Sequence, residues 1–147
     1  METTASVLLP AAPSEVFPIV ADLGTTTRWL PLVHRVESVG PDAWDVELRA
    51  AVGPFARSKR LRMVRVDHRP DVGVRFERAE IDGRHHAPWI LRCDLEPRGA
   101  STVVTMHLVY LGRLWTPGPL SRVLDQEVQR GRDGLLALFD GSSSSPN

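Results

Sequence analysis

Few residues in this sequence could do acid–base chemistry, and Glu127 is the carboxylate that stands out among them. It falls in the apolar stripe of a predicted C-terminal helix, where a carboxylate is costly unless it is paired or hydrogen-bonded. Strand alternation or loop position could direct Arg78, Tyr110 or His86 toward it. A carboxylate, a phenol and a base in an apolar cavity would orient a ligand and could transfer protons. The alternative is that Glu127 lies at the edge of the stripe and reaches solvent.

The histidines are not spaced like metal ligands. His85 and His86 are adjacent, so in a strand their side chains point to opposite faces and cannot bind one ion without a bend. His34, His68 and His107 have no carboxylate or cysteine at ligand spacing. Hydrolase, Walker and dinucleotide-binding motifs are also missing from the sequence. We therefore expect no metal and no cofactor.

The balance of charges argues against nucleic acid as a partner. Eighteen basic residues match eighteen acidic ones, which removes the broad positive field that non-specific binding to nucleic acid requires. A local group of cations, Arg57, Lys59, Arg60 and Arg62, could still bind an anion.

The single cysteine and the lengths of the apolar runs indicate in which cellular compartment the protein resides. Cys93 cannot form an intramolecular disulfide, and its parity with Leu91 and Leu95 predicts a small buried hydrophobic side chain. The N-terminus has no basic start, and no apolar run reaches the length of about 18 residues that a membrane span needs. We expect a cytoplasmic protein without a membrane span.

The first third of the chain predicts one strand and two short helices. Residues 5–9 suit a strand that Pro10 ends. Ser14 could cap a helix that Gly24 closes, and residues 28–31 predict a second short helix ended by proline.

From Val33 onward, apolar and polar residues alternate with a period of two over some eighty residues. Clusters of Gly, Pro and Asp interrupt the pattern at the spacing of an antiparallel meander. Six or seven strands are expected. Between residues 57 and 67 the alternation changes parity, which predicts a bulge near Met63.

Apolar residues return to helical spacing after Pro119 and predict one helix of about twenty residues. Gly131 and Gly134 lie inside it, where each costs about 1 kcal/mol relative to alanine. They permit either a close approach to the sheet or a void for a ligand. Residues 1–140 then form one domain, and the polar residues 141–147 are expected to be disordered.

This order of elements resembles the helix-grip superfamily (SRPBCC), which includes START lipid-transfer domains, the birch-pollen allergen and polyketide cyclases. The resemblance is nearest to the polyketide cyclase/dehydrase-like branch. It is carried by residues 7–17, by Ala21-Asp22-Leu23 with residues 28–31, by residues 36–40 and by residues 135–139. It implies an α+β fold, in which a curved antiparallel sheet wraps around the long C-terminal helix and leaves a ligand cavity.

The resemblance and the residues together predict the binding or transfer of a small hydrophobic ligand, such as a lipid or a polyketide, without catalysis. The alternative is a polyketide aromatase/cyclase or dehydratase in which Glu127, Tyr110 or His86 moves protons. A third possibility is a partner-binding role with a vestigial cavity, and the oligomeric state stays open. The predicted lining consists of Trp44, Leu48, Phe76, Trp89, Leu91, Met106, Leu108, Leu124 and Val128, with Glu127, Tyr110 and Arg78 as polar anchors.

Overall fold

A computed structural model describes residues 2–52, 54–80, 88–110 and 117–143 of the protein. This part of the chain contains seven strands and two α-helices, with one 3₁₀ helix near the N-terminus. The helices are α1 (Pro13–Val20), the 3₁₀ helix (Leu23–Arg28) and α2 (Pro117–Ser143). The strands are β1 (Glu2–Leu9), β2 (Val33–Gly40), β3 (Ala43–Val52), β4 (Phe55–Arg69), β5 (Gly73–Ala79), β6 (Trp89–Arg98) and β7 (Ser101–Tyr110).

The strands form one antiparallel sheet in the order β1-β7-β6-β5-β4-β3-β2. Consecutive strands are neighbours except that β1 pairs with β7, which places the N-terminal strand at the edge of the sheet. Buried and more exposed residues alternate along β1, β6 and β7. Because successive side chains in a strand point to opposite faces, the sheet has an apolar inner face and a polar outer face.

The two short helices are present, but their boundaries differ from the prediction. Ala12, and not Ser14, is the N-cap of α1, and no side chain caps this helix. The helix ends at Val20, before Gly24 is reached. Asp22 then begins the 3₁₀ helix, because its carboxylate accepts a hydrogen bond of 2.8 Å from the Gly24 amide.

The irregularity in β4 also lies elsewhere than predicted. The register of β4 with β5 shifts between Arg65 and Asp67, and not at Met63. Val66, at this point, is 52% exposed, so it does not lie on the buried face of β4 with Leu61 and Met63. The change of parity in the sequence therefore marks a bulge further along the strand.

Helix α2 lies against β1 and covers the inner face. The Thr3 hydroxyl donates a hydrogen bond of 2.7 Å to Asp125, and the Arg132 side chain donates one of 2.8 Å to the Ser6 carbonyl. The first half of α2 therefore lies beside the start of β1. Its buried side chains share the helical spacing that the sequence predicts: Leu124, Glu127, Val128 and Leu135.

The two glycines of α2 allow a close approach to the segment that follows the 3₁₀ helix. A Cβ atom on Gly134 would overlap the carbonyl oxygen of Trp29, which belongs to the backbone. A Cβ atom on Gly131 would come within 2.7 Å of Leu30 Cδ1, the far end of a flexible side chain. Close packing, and not a void, explains both positions.

The α+β helix-grip architecture predicted from the sequence is confirmed, with seven strands in the part of the chain that is described. Helix α2 has 27 residues and continues to Ser143, so residues 141–143, which were predicted to be disordered, are helical. Residues 144–147 lie outside the described part of the chain. In that part, no helix is both long enough and apolar enough to cross a membrane.

Replacing Gly134 by alanine is expected to lower the free energy of unfolding by about 1 kcal/mol or more. The overlap with a backbone atom, at about 1–3 kcal/mol, outweighs the gain in helix propensity of about 1 kcal/mol. Gly131→Ala is the matched control, because the Leu30 side chain can rotate away. Urea denaturation measures both variants, and a Gly134→Ala protein as stable as the wild type would contradict the close contact.

Candidate ligand-binding site

The inner face of the sheet is built from rows of side chains that run across neighbouring strands. Pairing of β3 with β4 and of β4 with β5 places Trp44 beside Met63 and Met63 beside Arg78. Trp89 in β6 lies beside Tyr110 in β7. The β5–β6 pairing, extended by one residue from Glu77↔Ile90, sets Arg78 next to Trp89. The row therefore reads Trp44, Met63, Arg78, Trp89, Tyr110.

One end of this face, which we call the α1 end, is fully packed. It is the end where the turns at residues 41–42, 70–72 and 99–100 lie. The Phe17 ring of α1 lies 5.2 Å from the His68 ring, and the buried Thr102 hydroxyl donates a hydrogen bond to the Ala11 carbonyl. Near this end Val74, Cys93, Val104 and Met106 are at most 1% exposed, while Phe17 and Leu95 keep 6–7%.

The opposite end, which we call the Trp89 end, is apolar but less completely buried. Here β3, β5 and β7 end and β4 and β6 begin, beside the first half of α2. Inward-facing side chains keep some accessible surface, from 6% for Trp89 to 7% for Leu91 and Leu108 and 8% for Tyr110. Leu48 is only partly buried. These inward-facing side chains are therefore buried, but less completely than Val74 and Met106.

Aromatic contacts fix the walls of the interior. Trp44 meets Phe76 edge to face at 5.6 Å, and the Arg65 guanidinium lies 5.5 Å from the Trp44 ring centroid. Arg65 is held in turn by an ion pair of 2.6 Å with Asp42. These contacts make Trp44 and Phe76 a rigid part of the wall.

Trp89 and Tyr110 form a second aromatic pair, with ring centroids 4.6 Å apart. The Trp89 indole nitrogen is buried and has no hydrogen-bond partner among the described residues. A buried N–H group without a partner costs about 1–3 kcal/mol, and it offers a donor to any ligand that reaches it. Trp89 was predicted as a lining residue, but its free N–H was not.

Glu127 is buried, with 6% of the residue exposed. It does not reach solvent as the edge-of-stripe alternative required. Its Oε1 accepts a hydrogen bond of 3.1 Å from Arg130, one turn further along α2. Its Oε2 is buried without a partner in the described part of the chain. The predicted partners Arg78 and Tyr110 are thus replaced by Arg130, whereas His86 lies outside the described residues.

The direction of Glu127 follows from helical geometry. At about 3.6 residues per turn, Glu127 and Asp125 lie on opposite sides of Leu124, which points at the sheet. Asp125 contacts β1, so Glu127 faces the side where Gly134 meets Trp29. Glu127 therefore lies on the side of α2 that faces the Trp29 segment and not on the side that faces β1.

Lys59 is an exposed cation whose strand parity is that of the inner face. It pairs with Leu48 and has the same parity as Leu61 and Met63, which are buried. Partial burial and the positive charge of Arg78 lower the pKa of Lys59. Its neighbours Arg60 and Arg62 lie on the outer face, in ion pairs with Glu47 and Asp45.

Cys93 is the small buried hydrophobic side chain that its parity predicts. It is completely buried, and burial, with a smaller effect of Asp94, raises the pKa of its thiol to about 12. A protonated, inaccessible thiol is not a nucleophile.

Two of the described histidines, His68 and His107, make structural contacts, and His34 is exposed. His107 lies 3.5 Å from Asp94 on the outer face, and His68 packs against Phe17. No group of three or more His, Cys, Asp or Glu residues within residues 2–52, 54–80, 88–110 and 117–143 could hold a metal ion.

The predicted site residues in the described chain share the inner face of the sheet and the buried side of α2, but Met106 lies at the packed α1 end and not at the Trp89 end. Arg130 was missed, although its i,i+3 spacing to Glu127 was in the sequence. Lys59 was named only within a group of cations that could bind an anion, and its strand parity with Leu61 was not used. The predicted residues that line the sheet are Trp44, Leu48, Phe76, Arg78, Trp89, Leu91, Met106, Leu108 and Tyr110, and those on α2 are Leu124, Glu127 and Val128.

A curved sheet that covers an apolar interior beneath one long helix defines a hydrophobic ligand-binding fold. The chain belongs to the family described as polyketide cyclase / dehydrase and lipid transport, whose model matches residues 1–139. The resemblance noted in the sequence is thereby confirmed. Among curated proteins, the comparison found no match to the chain.

Solved structures share the fold at low identity. A START superfamily protein from Mycobacterium smegmatis has a TM-score of 0.77 at 15% identity, covering 96% of this chain and 98% of that chain. The Zhui aromatase/cyclase from a Streptomyces species has a TM-score of 0.69 at 15% identity, covering 99% and 96%. A Thermus thermophilus protein has a TM-score of 0.72 at 20% identity, covering 98% and 100%. At these identities the similarity shows the fold alone.

Replacing Glu127 by leucine is expected to raise the free energy of unfolding by about 1 kcal/mol, because the variant removes a buried acceptor without a partner. Arg130 can then turn to solvent, since its side chain is already 62% exposed. Gln126→Leu, at an exposed position of the same helix, is the control and should change stability by less than about 0.5 kcal/mol. Urea denaturation would contradict this account if Glu127→Leu were clearly less stable than the wild type.

Proposed function

We propose that the protein binds or transfers a small hydrophobic molecule in the interior between α2 and the sheet, at the Trp89 end. The observation that carries the proposal is the difference between the two ends of one apolar face. Along β5, β6 and β7, Val74, Cys93 and Met106 are 0–1% exposed, whereas Leu91, Leu108 and Tyr110 keep 7–8%. Apolar side chains that border unfilled space favour an apolar guest, since its burial contributes about 25 cal/mol per Å².

The family supports the same proposal. Its description joins polyketide cyclases and dehydrases with lipid transport, and both activities need a hydrophobic molecule inside the fold. A lipid, a polyketide or a similar molecule is the proposed ligand. The cytoplasm is the proposed location, in keeping with one buried cysteine.

Leu108→Trp should weaken the binding of N-phenyl-1-naphthylamine, an apolar fluorescent probe, by about tenfold or more, because the indole fills the space that the probe needs. Leu8→Trp is the matched control, since Leu8 is 53% exposed on the outer face of β1. Fluorescence titration measures both variants, and circular dichroism checks their fold. Equal affinities in Leu108→Trp and the wild type would place the binding site elsewhere.

A second candidate, an aromatase/cyclase or dehydratase, is favoured by the unpartnered Oε2 of Glu127. A buried carboxylate oxygen that faces an apolar interior can take a proton from a bound ligand. The Zhui aromatase/cyclase is one structural neighbour. Tyr110 lies at the same end and could take part, and His86 remains a candidate outside the described residues.

Glu127→Gln separates the two functions, because it keeps the size of the side chain and removes its basicity. If the protein only binds, the variant should bind a candidate polyketide as the wild type does, and neither protein should turn it over. Product analysis by mass spectrometry measures turnover. A wild type that converts the polyketide, beside a variant that binds it without conversion, would overturn the binding-only function.

A further inference from the structure

We infer that the ligand carries an anionic group, of the carboxylate class, which is bound by three donors on the inner-face side of the sheet: Lys59, Arg78 and Trp89. This inference rests on the proposed function, because it names the chemistry of one end of the same hydrophobic ligand. The three residues stand on the consecutive strands β4, β5 and β6.

The position of Arg78 is the first step. It pairs with Met63 on one side, and the register of β5 with β6 places it next to Trp89 on the other. The Arg78 side chain is half-buried and has an interaction partner in the protein. Arginine has about five N–H donors, so it can bind two oxygens of a ligand beside any partner in the protein.

The indole N–H of Trp89 is the second, independent observation. The residue is 6% exposed, and its nitrogen has no partner among the described residues. It lies one strand from Arg78 in the same row of the sheet. A donor that is buried and unpartnered next to a cation suits an oxygen that carries negative charge.

Lys59 adds a second positive charge to this end. It lies on the face of β4 that carries Leu61 and Met63, and it is near enough to Arg78 for the two charges to repel, which contributes to the lowered pKa of Lys59. Two like charges on one apolar surface are stabilised when an anion binds between them. Glu127, a buried acid of the same interior, is paired with Arg130.

These three donors would orient the ligand. The apolar part would occupy the space beside Leu91, Leu108 and Leu124, and the acid would lie over Arg78 and Trp89. An alcohol or an amine of the same chain length lacks the charge that these donors prefer. The affinities of an acid, an alcohol and an amine of equal chain length should therefore be compared.

Isothermal titration calorimetry with dodecanoic acid, dodecan-1-ol and dodecylamine tests the inference on the full chain. The wild type should bind the acid about tenfold or more tightly than the alcohol, as one charge-assisted hydrogen bond suggests, and the amine most weakly. Arg78→Gln should reduce acid binding to the level of the alcohol and leave alcohol binding unchanged, which also shows that the variant is folded. Lys59→Gln and Trp89→Phe should each reduce acid binding by a smaller factor.

Arg60→Gln is the matched control, since Arg60 follows Lys59 directly but lies on the outer face with its side chain 82% exposed. It should bind the acid as the wild type does. Equal binding of acid and alcohol by the wild type, or equal losses in Arg60→Gln and Arg78→Gln, would overturn the inference. Either result would leave the proposed function intact. If none of the three compounds bound, the proposed function, the binding of a hydrophobic ligand, would itself be wrong.

Discussion

The constraint on which this structure depends is that seven strands present one apolar face, which the two α-helices of the described chain must cover. Helix α1 covers one end of that face, and α2 crosses the rest from β1 to the segment after the 3₁₀ helix. The contact of Gly134 with the Trp29 backbone fixes how closely α2 approaches the segment after the 3₁₀ helix. Because α2 is held on both sides, by β1 and by the Trp29 segment, it crosses over the inner face of the sheet. It can therefore cover this face without filling every space beneath it.

The chemistry of the interior changes along the sheet. At the α1 end, Val74, Cys93 and Met106 form a packed core, and the raised pKa of the Cys93 thiol reflects its complete burial there. At the Trp89 end, cations and hydrogen-bonding atoms join the apolar surface: Lys59, Arg78, the Trp89 indole and Glu127. Of these, the Trp89 indole N–H and one oxygen of Glu127 are buried without partners in the described chain, and such groups lower stability.

The fold could be read from the sequence because it depends on periodicity, and the alternation of Trp44, Val46 and Leu48 determines β3 without reference to any other strand. Local chemistry was harder to predict. Asp22 starts the 3₁₀ helix by accepting the Gly24 amide, which no hydrophobic pattern records. Arg130, the partner of Glu127, follows from helical spacing, whereas the sequence analysis pointed to Arg78, Tyr110 and His86, which are distant in sequence. Lys59 was grouped with Arg60 by proximity in sequence, although adjacent residues of a strand lie on opposite faces.

The central claim is that apolar space remains between α2 and the sheet at the Trp89 end. A crystal of the protein pressurised with xenon tests it most directly, because xenon occupies apolar cavities that water leaves empty. The account predicts xenon density in contact with Leu91, Leu108 and Leu124, and none among Val74, Cys93 and Met106. An interior without xenon, with side chains in contact throughout the Trp89 end, would contradict it and leave only the architecture.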